Sequence, residues 1–172
     1  MLKQEDKNEF IKAMVKEVHD HEGRKHWRIV DRSSLPPRTK TILAIWSFKR
    51  KRYSYGRAMK HKARLCAHGR MQWGVDYWET YALVVNWTSV RALLIVAQIH
   101  GLPSKSVDFV LAFPQVDLKE DVYMELPIGM ALALGDGRDK VLKLEKSLYG
   151  LKSAGKNWHN YLKKGLISRG CK

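Results

Sequence analysis

Apolar residues at Phe10, Ile11, Met14, Val15 and Val18 recur at helical spacing along an otherwise polar stretch from about Gln4 to His21, which predicts an amphipathic helix. His19, His21 and His26 follow on or just past its end. Their spacing matches no familiar metal-ligand set, so they read as a solvated face. Trp27 to Val30 reads as a short strand, Pro36 and Pro37 make a turn, and Ile42 to Phe48 gives a second strand. A hairpin follows, with its tip over Lys49 to Arg57, Gly56 supplying the turn and a returning strand over Met59 to Ala67. On that strand the period of two sets Lys60, Lys62 and Arg64 on one face and His61, Ala63 and Leu65 on the other.

Beyond the hairpin, the aromatic run Trp73 to Tyr81 reads as core packing. Thr88 or Ser89 is placed to cap a packing helix that carries Val90, Leu93, Leu94, Val96 and Ala97 and stops at Gly101 and Pro103. Val107 to Phe113 predicts a short buried strand ending at Pro114. Strands around Val122 to Leu126 and Val141 to Leu144 flank a Gly/Asp loop at 135–139. After Gly150, the positions of Trp158, Tyr161, Leu162 and Leu166 predict a last helix before Gly170. The fold class is α+β, an antiparallel sheet with packed helices.

A length of 172 residues with 45% hydrophobic content fits one folded domain. Charge changes the picture most. Lys and Arg number 32 against 17 acids, a formal net charge of +15, which points to an anionic polymer as partner. From Lys49 to Arg70 there are nine Lys or Arg and no Asp or Glu. A charge run of this kind either keeps a hairpin in solution or grips phosphates, and Tyr53 and Tyr55 add faces on which bases can stack. Cys66 and Cys171 form no disulfide framework or zinc pair. The charged start and the lack of a long apolar run predict an intracellular chain, cytoplasmic or nuclear, neither secreted nor inserted in a membrane.

Asp108 is the one carboxylate inside the apolar run 107–113. An ionised carboxylate there needs a partner. It either caps the following turn or takes a lysine salt bridge, or it holds a metal ion for catalysis.

The blocks Asp108-Phe-Val-Leu-Ala-Phe-Pro-Gln115, Val122-Tyr-Met-Glu-Leu-Pro127 and Ser147-Leu-Tyr-Gly-Leu-Lys152 resemble the reverse transcriptase of copia-type retrotransposons. The likeness extends through Ile45 to Arg52, Lys60 to Gly69, Trp73 to Thr80 and Val84 to Arg91, in the family's order. The resemblance implies a single incomplete reverse transcriptase domain over 1–172. About 1–103 would be fingers-like, with the basic hairpin at 42–68, and about 104–172 a partial palm.

It also implies an RNA-directed DNA polymerase, a nucleotidyltransferase using Mg²⁺, whose partners are an RNA or RNA/DNA template-primer, deoxynucleotides and the remainder of a retrotransposon polyprotein. Asp108 matches the first catalytic, metal-binding carboxylate. Phe113 matches the aromatic gate under the sugar, with core packing as its other reading. Lys62 and Arg64 match residues near the incoming triphosphate. Tyr149, Gly150 and Lys152 match the block that supports nucleotide and template base. Lys49, Arg50, Lys51, Arg52, Arg57 and Lys60 are the expected nucleic-acid contacts.

The chain departs from the pattern at Leu83, where Pro is usual, and at Ser153, where Gln is usual, and its Met71-Gln-Trp-Gly block is a residue short. It contains no Asp-Asp pair, whereas the family takes two further metal ligands from a Tyr-x-Asp-Asp hairpin. The expectation is therefore an inactive fragment with an exposed apolar sheet edge, poorly soluble or partner-dependent. A non-catalytic nucleic-acid-binding remnant is the other reading.

Overall fold

A three-stranded antiparallel sheet carries the core of the protein, and it is made by strands far apart in the chain. In the computed structural model, which describes residues 6–72, 84–130 and 139–170, the order is β1 (Trp27–Asp31), β5 (Lys140–Lys146), β4 (Asp117–Glu125). Trp27 lies opposite Leu144 and Val122 opposite Leu144, so the three side chains form one row; Met124 and Leu142 form the next. With Leu65, Ile42 and Leu148 they make the buried cluster. Each such side chain contributes about 1.5–3 kcal/mol by leaving water.

The second sheet is the expected hairpin, β2 (Ala44–Arg52) and β3 (Ala58–Ala67). Its strands run further than predicted: Lys49 to Arg52 belong to β2 rather than to the tip. The alternation of side chains continues through the basic run, and a strand stops only where the turn at Tyr53 to Arg57 begins. Gly56 closes that turn at φ +88°, a conformation that suits glycine. The segment before β2 joins the sheets: the Ile42 amide donates to the Tyr123 carbonyl at 2.9 Å, and the Glu125 amide donates to the Ile42 carbonyl at 2.8 Å. Burial pushes the Glu125 carboxyl up, but hydrogen bonds from Arg32 and Thr41 outweigh this and hold it below its ordinary range.

The first helix, α1 (Lys7–Gly23), spans both sheets. Near its start, Phe10 is buried edge-on against Phe48 and His61 of the hairpin. Near its end, His21 stacks on Trp27 with ring centres 4.9 Å apart. His21 and His26 are thus interior residues, which corrects the solvated-face reading; only His19 is exposed. Helix formation brings His21 to the sheet side, and the turn after Gly23 returns His26 against it, a pairing that residue spacing does not encode.

Helix α2 (Trp87–Ile99) is capped by Asn86, whose side chain accepts from the Thr88 amide at 2.9 Å, rather than by Thr88 or Ser89. Among the described residues it does not act as a packing helix. None of its residues is buried among the described residues, and Leu93 and Ile99 stand 70% and 74% exposed. Residues 107–111 differ from expectation too. They form no strand, because no described strand lies beside them to take their backbone hydrogen bonds. Val107 and Val110 are exposed, and the segment ends in a tight turn at Phe113–Gln115. The last helix, α3 (Ala154–Ile167), presents Trp158 edge-on to Phe109 at 5.1 Å. The aromatic run 73–81 and most of the Gly/Asp loop lie outside the described residues.

Candidate functional site

The register of the hairpin assembles its cations. Lys49 lies opposite Lys62, Lys51 opposite Lys60 and Ser47 opposite Arg64. Residues opposed across a strand pair share a face. Lys49, Lys51, Lys60, Lys62 and Arg64 therefore stand on one side of the sheet, and none of them has an ion pair with a described carboxylate. Like charges directly opposed destabilise a hairpin. The charge of Lys51 beside Lys62, reinforced by burial, Arg64 and Lys60, lowers the Lys62 ammonium below its ordinary value, with Asp108 pulling weakly the other way. An anion placed on this face relieves that repulsion.

The opposite face is structural. Trp46, Phe48, Ala63 and Leu65 turn towards the core and α1. Arg50 belongs to this side: its guanidinium pairs with Asp6 at 2.6 Å, and His61 contacts the same carboxylate at 2.8 Å. The hydrogen bond to His61 holds the Asp6 carboxyl below its usual range, with the Arg50 charge assisting against burial. Arg50 is thus separated from Lys49 and Lys51. Arg52 braces the tip, donating to the Gly56 carbonyl at 2.8 Å, and Arg57 is exposed at the end of the turn.

A cleft of about 420 Å³ lies where the cationic face meets the Asp108 segment. Lys60, Lys62, Arg64, Asp108 and Tyr149 line it, and α1 adds Lys16, Glu17 and Asp20 on the other wall. The Arg64 guanidinium lies over the Tyr149 ring, 5.5 Å from its centre, and Phe113 meets the same ring edge-on at 5.0 Å. Burial raises the Tyr149 hydroxyl, keeping it protonated, although the neighbouring Arg64 charge opposes that. Phe113 also packs on the core, so its structural reading holds alongside any contact with a ligand. Asp108 is exposed on an irregular segment, not buried in a strand.

Two glycines beside Tyr149 line a separate pocket with Lys152, so Gly150 is not brought to the cleft. Gly150, at φ +89°, crosses the end of β3 so closely that a Cβ would overlap the Ala67 carbonyl oxygen; one on Gly69 would overlap the Gly150 carbonyl oxygen. The Ala67 amide donates to the Tyr149 carbonyl at 2.7 Å across this crossing. Gly150 thus allows backbone to approach backbone. Lys152 is not brought to the cleft: its Nζ donates to the Gln72 carbonyl at 3.1 Å and its amide to Gln72 Oε1 at 2.9 Å, beside His68 and Arg70. The contribution of Lys49 and Lys51 was readable from strand alternation. The Gly69–Gly150 crossing, the Arg50–Asp6 pair and Gln72 left no sequence signal, since each joins distant segments.

No three of His, Cys, Asp or Glu gather as a metal-binding group around Asp108 or elsewhere among the described residues. These residues alone do not fit a two-metal centre, which takes several carboxylates. No described helix is long and apolar enough to cross a membrane.

The chain is thus a mixed α/β protein with a cationic sheet face that leads to a cleft carrying Asp108. Comparison with known proteins gives its family. The family model described as reverse transcriptase (RNA-dependent DNA polymerase) matches residues 24–172, and the chain belongs to that family, in its copia-type branch. It is 38% identical over 160 residues to the retrovirus-related Pol polyprotein from transposon RE1 of Arabidopsis thaliana, covering 92% of this chain and 11% of the relative. It is 34% identical over 160 residues to the corresponding polyprotein from transposon TNT 1-94 of Nicotiana tabacum, covering 92% and 12%. Against the transposon Ty1-ER2 Gag-Pol polyprotein of Saccharomyces cerevisiae it is 30% identical over 172 residues, covering 95% and 9%. The chain thus spans about a tenth of the length of these relatives. No solved structure matches it.

Proposed function

We propose that this chain forms the fingers and part of the palm of an RNA-directed DNA polymerase, with the cleft between β3 and Asp108 as the place of the incoming deoxynucleotide. The observation that carries the reading is convergence. Lys62 and Arg64, Asp108, Phe113 and Tyr149 come from three separate stretches of sequence and meet at one cleft or at the ring that floors it.

In this reading the triphosphate lies against Lys62 and Arg64, neither of which is ion-paired to a described carboxylate, and the planar Arg64 fork is held by the Tyr149 ring. The template-primer runs along Lys49, Lys51 and Lys60. Asp108 would hold a divalent ion, which supplies charge neutralisation at the transferred phosphate when bound. The 172 residues contain no Asp-Asp pair, so they are expected to bind a template-primer and not extend it unaided. Phe113 sits behind Tyr149, where it sets the shape of the cleft floor.

The second reading, nucleic-acid binding without catalysis, is favoured by the five cations that make no ion pair with a described carboxylate and by the lack of a metal-binding group among the described residues. One experiment separates the two. Gel shifts and primer extension are run together on an RNA template with Mg²⁺ and deoxynucleotides, using the chain and its Lys62→Met and Arg64→Met variants. Added deoxynucleotide should tighten the template-primer complex of the wild type and not of the variants. A salt-sensitive shift that deoxynucleotide never changes supports binding alone.

A further inference from the structure

The hairpin tip carries a feature that neither the cleft nor the cationic face uses. Tyr53 and Tyr55 stack face to face with ring centres 5.1 Å apart and planes 5° from parallel. Both are exposed, Tyr55 by 71%. Stacked aromatic pairs usually sit in cores, where burial favours them. Here the pair stands at the far end of a hairpin, and the turn beneath it is braced three times. The Tyr53 amide donates to the Arg57 carbonyl at 2.9 Å, the Gly56 amide donates to the Tyr53 carbonyl at 2.9 Å, and Arg52 donates to the Gly56 carbonyl at 2.8 Å. The rings are therefore presented on a pre-formed turn. Each keeps one outer face that the stack leaves uncovered.

Chemistry at the tip narrows what such a face takes. Lys51, Arg52 and Arg57 flank the tyrosines, and from the tip the cations of β2 and β3 continue to the cleft. No Asp or Glu interrupts residues 49–70. An aromatic face beside a track of positive charge matches a ligand with planar rings on an anionic backbone. A duplex hides its base faces within its own stack; a single strand does not.

We propose that the Tyr53–Tyr55 pair is a stacking platform for an unpaired base of a single-stranded nucleic acid whose phosphates follow the cationic face of β2 and β3. The proposal rests on the reading of that face as a polynucleotide track. The rings capture the strand at the tip and feed its backbone towards the cleft. Stacking on the outer face of Tyr55 does not discriminate among bases, because every base offers a π-face.

The test compares a labelled oligothymidylate with an abasic oligomer of equal length and charge, by fluorescence anisotropy over a series of salt concentrations. The wild-type chain should bind the oligothymidylate roughly tenfold tighter than the abasic strand, since a stacked base contributes about 1–3 kcal/mol. Tyr55→Leu should bring the two affinities together with the salt slope unchanged, and Tyr55→Trp should restore the difference. Both rings are exposed, so a matching thermal unfolding curve for Tyr55→Leu is expected. Salt-sensitive binding of both oligomers with no base preference, or a preference that Tyr55→Leu retains, overturns the platform and leaves the cationic track standing. Binding that does not respond to salt overturns both.

Discussion

Acid should loosen this protein through the buried His26. His21 and His26 are 0% and 4% exposed, and their Nδ1 atoms lie 2.7 Å apart, a distance that requires one nitrogen to donate and the other to accept. Burial, then the charges of His21, Arg24 and Lys146, push His26 down from 6.5 to about 4, against a weaker upward pull from Glu17. In the unfolded chain His26 takes its proton near 6.5, so between the two values the unfolded state binds more protons and stability falls as pH falls. At about 1.4 kcal/mol per tenfold change in proton affinity, the loss reaches about 2–3 kcal/mol by pH 4.5. That is the ordinary value for glutamates such as Glu9, below which carboxylates join in.

The same pair anchors α1 to the sheet, because the His26 carbonyl accepts from the amides of Glu145 and Lys146 at 2.9 and 3.1 Å. Thermal unfolding followed by circular dichroism from pH 7.5 to 4.5 should show Tm falling by roughly 5–10 °C. His26→Asn keeps a polar group near Nδ1 but does not titrate, and it should remove most of that dependence. An unchanged wild-type Tm across the window would refute the reasoning, as would an equal fall in the variant.

Four further outcomes follow from the geometry. Replacing Lys49 and Lys51 together by Met should lower the slope of log affinity against log salt for RNA by about two, whereas Arg50→Met should leave the slope unchanged and lower Tm, because Arg50 pairs with Asp6 behind the sheet. Gly150→Ala should destabilise the fold by about 1–3 kcal/mol in urea unfolding, through its left-handed φ and the overlap with Ala67. Leu65→Ala, at a fully buried position, should cost about 2–5 kcal/mol in the same assay. Leu93→Lys with Ile99→Lys should reduce binding of an apolar dye and aggregation of this chain, since both side chains are exposed on α2.

Elements with a strong period were legible in the sequence: α1, the β2–β3 hairpin, β4, β5 and α3 all exist near where the apolar spacing put them, although β4 begins at Asp117 and β2 runs on to Arg52, through polar stretches that spacing did not mark. The hairpin was legible even as a surface, because alternation alone places Lys60, Lys62 and Arg64 together. What failed depended on partners. Val107 to Phe113 has strand composition, yet a strand exists only beside another, and spacing cannot say which neighbour is present. The same holds for α2, a well-formed helix whose apolar residues meet no described core. Lys152 matched a nucleotide-supporting block, and its hydrogen bonds to Gln72, eighty residues away in sequence, could not be foreseen from either segment. The histidine pair was misread because residues of mixed character at a helix end look solvated until the return of the chain covers them.

The central claim is that Asp108 and the Lys62–Arg64 face belong to one nucleotidyl-transfer site. Its most direct test is primer extension on an RNA template by a Pol polyprotein of the family in which this chain replaces the matching segment, with Asp108→Asn compared against Asp117→Asn, whose carboxylate pairs with Lys146 outside the cleft. The account predicts that Asp108→Asn abolishes extension while leaving template binding intact, and that Asp117→Asn retains it. Extension surviving Asp108→Asn at the wild-type rate would contradict the account.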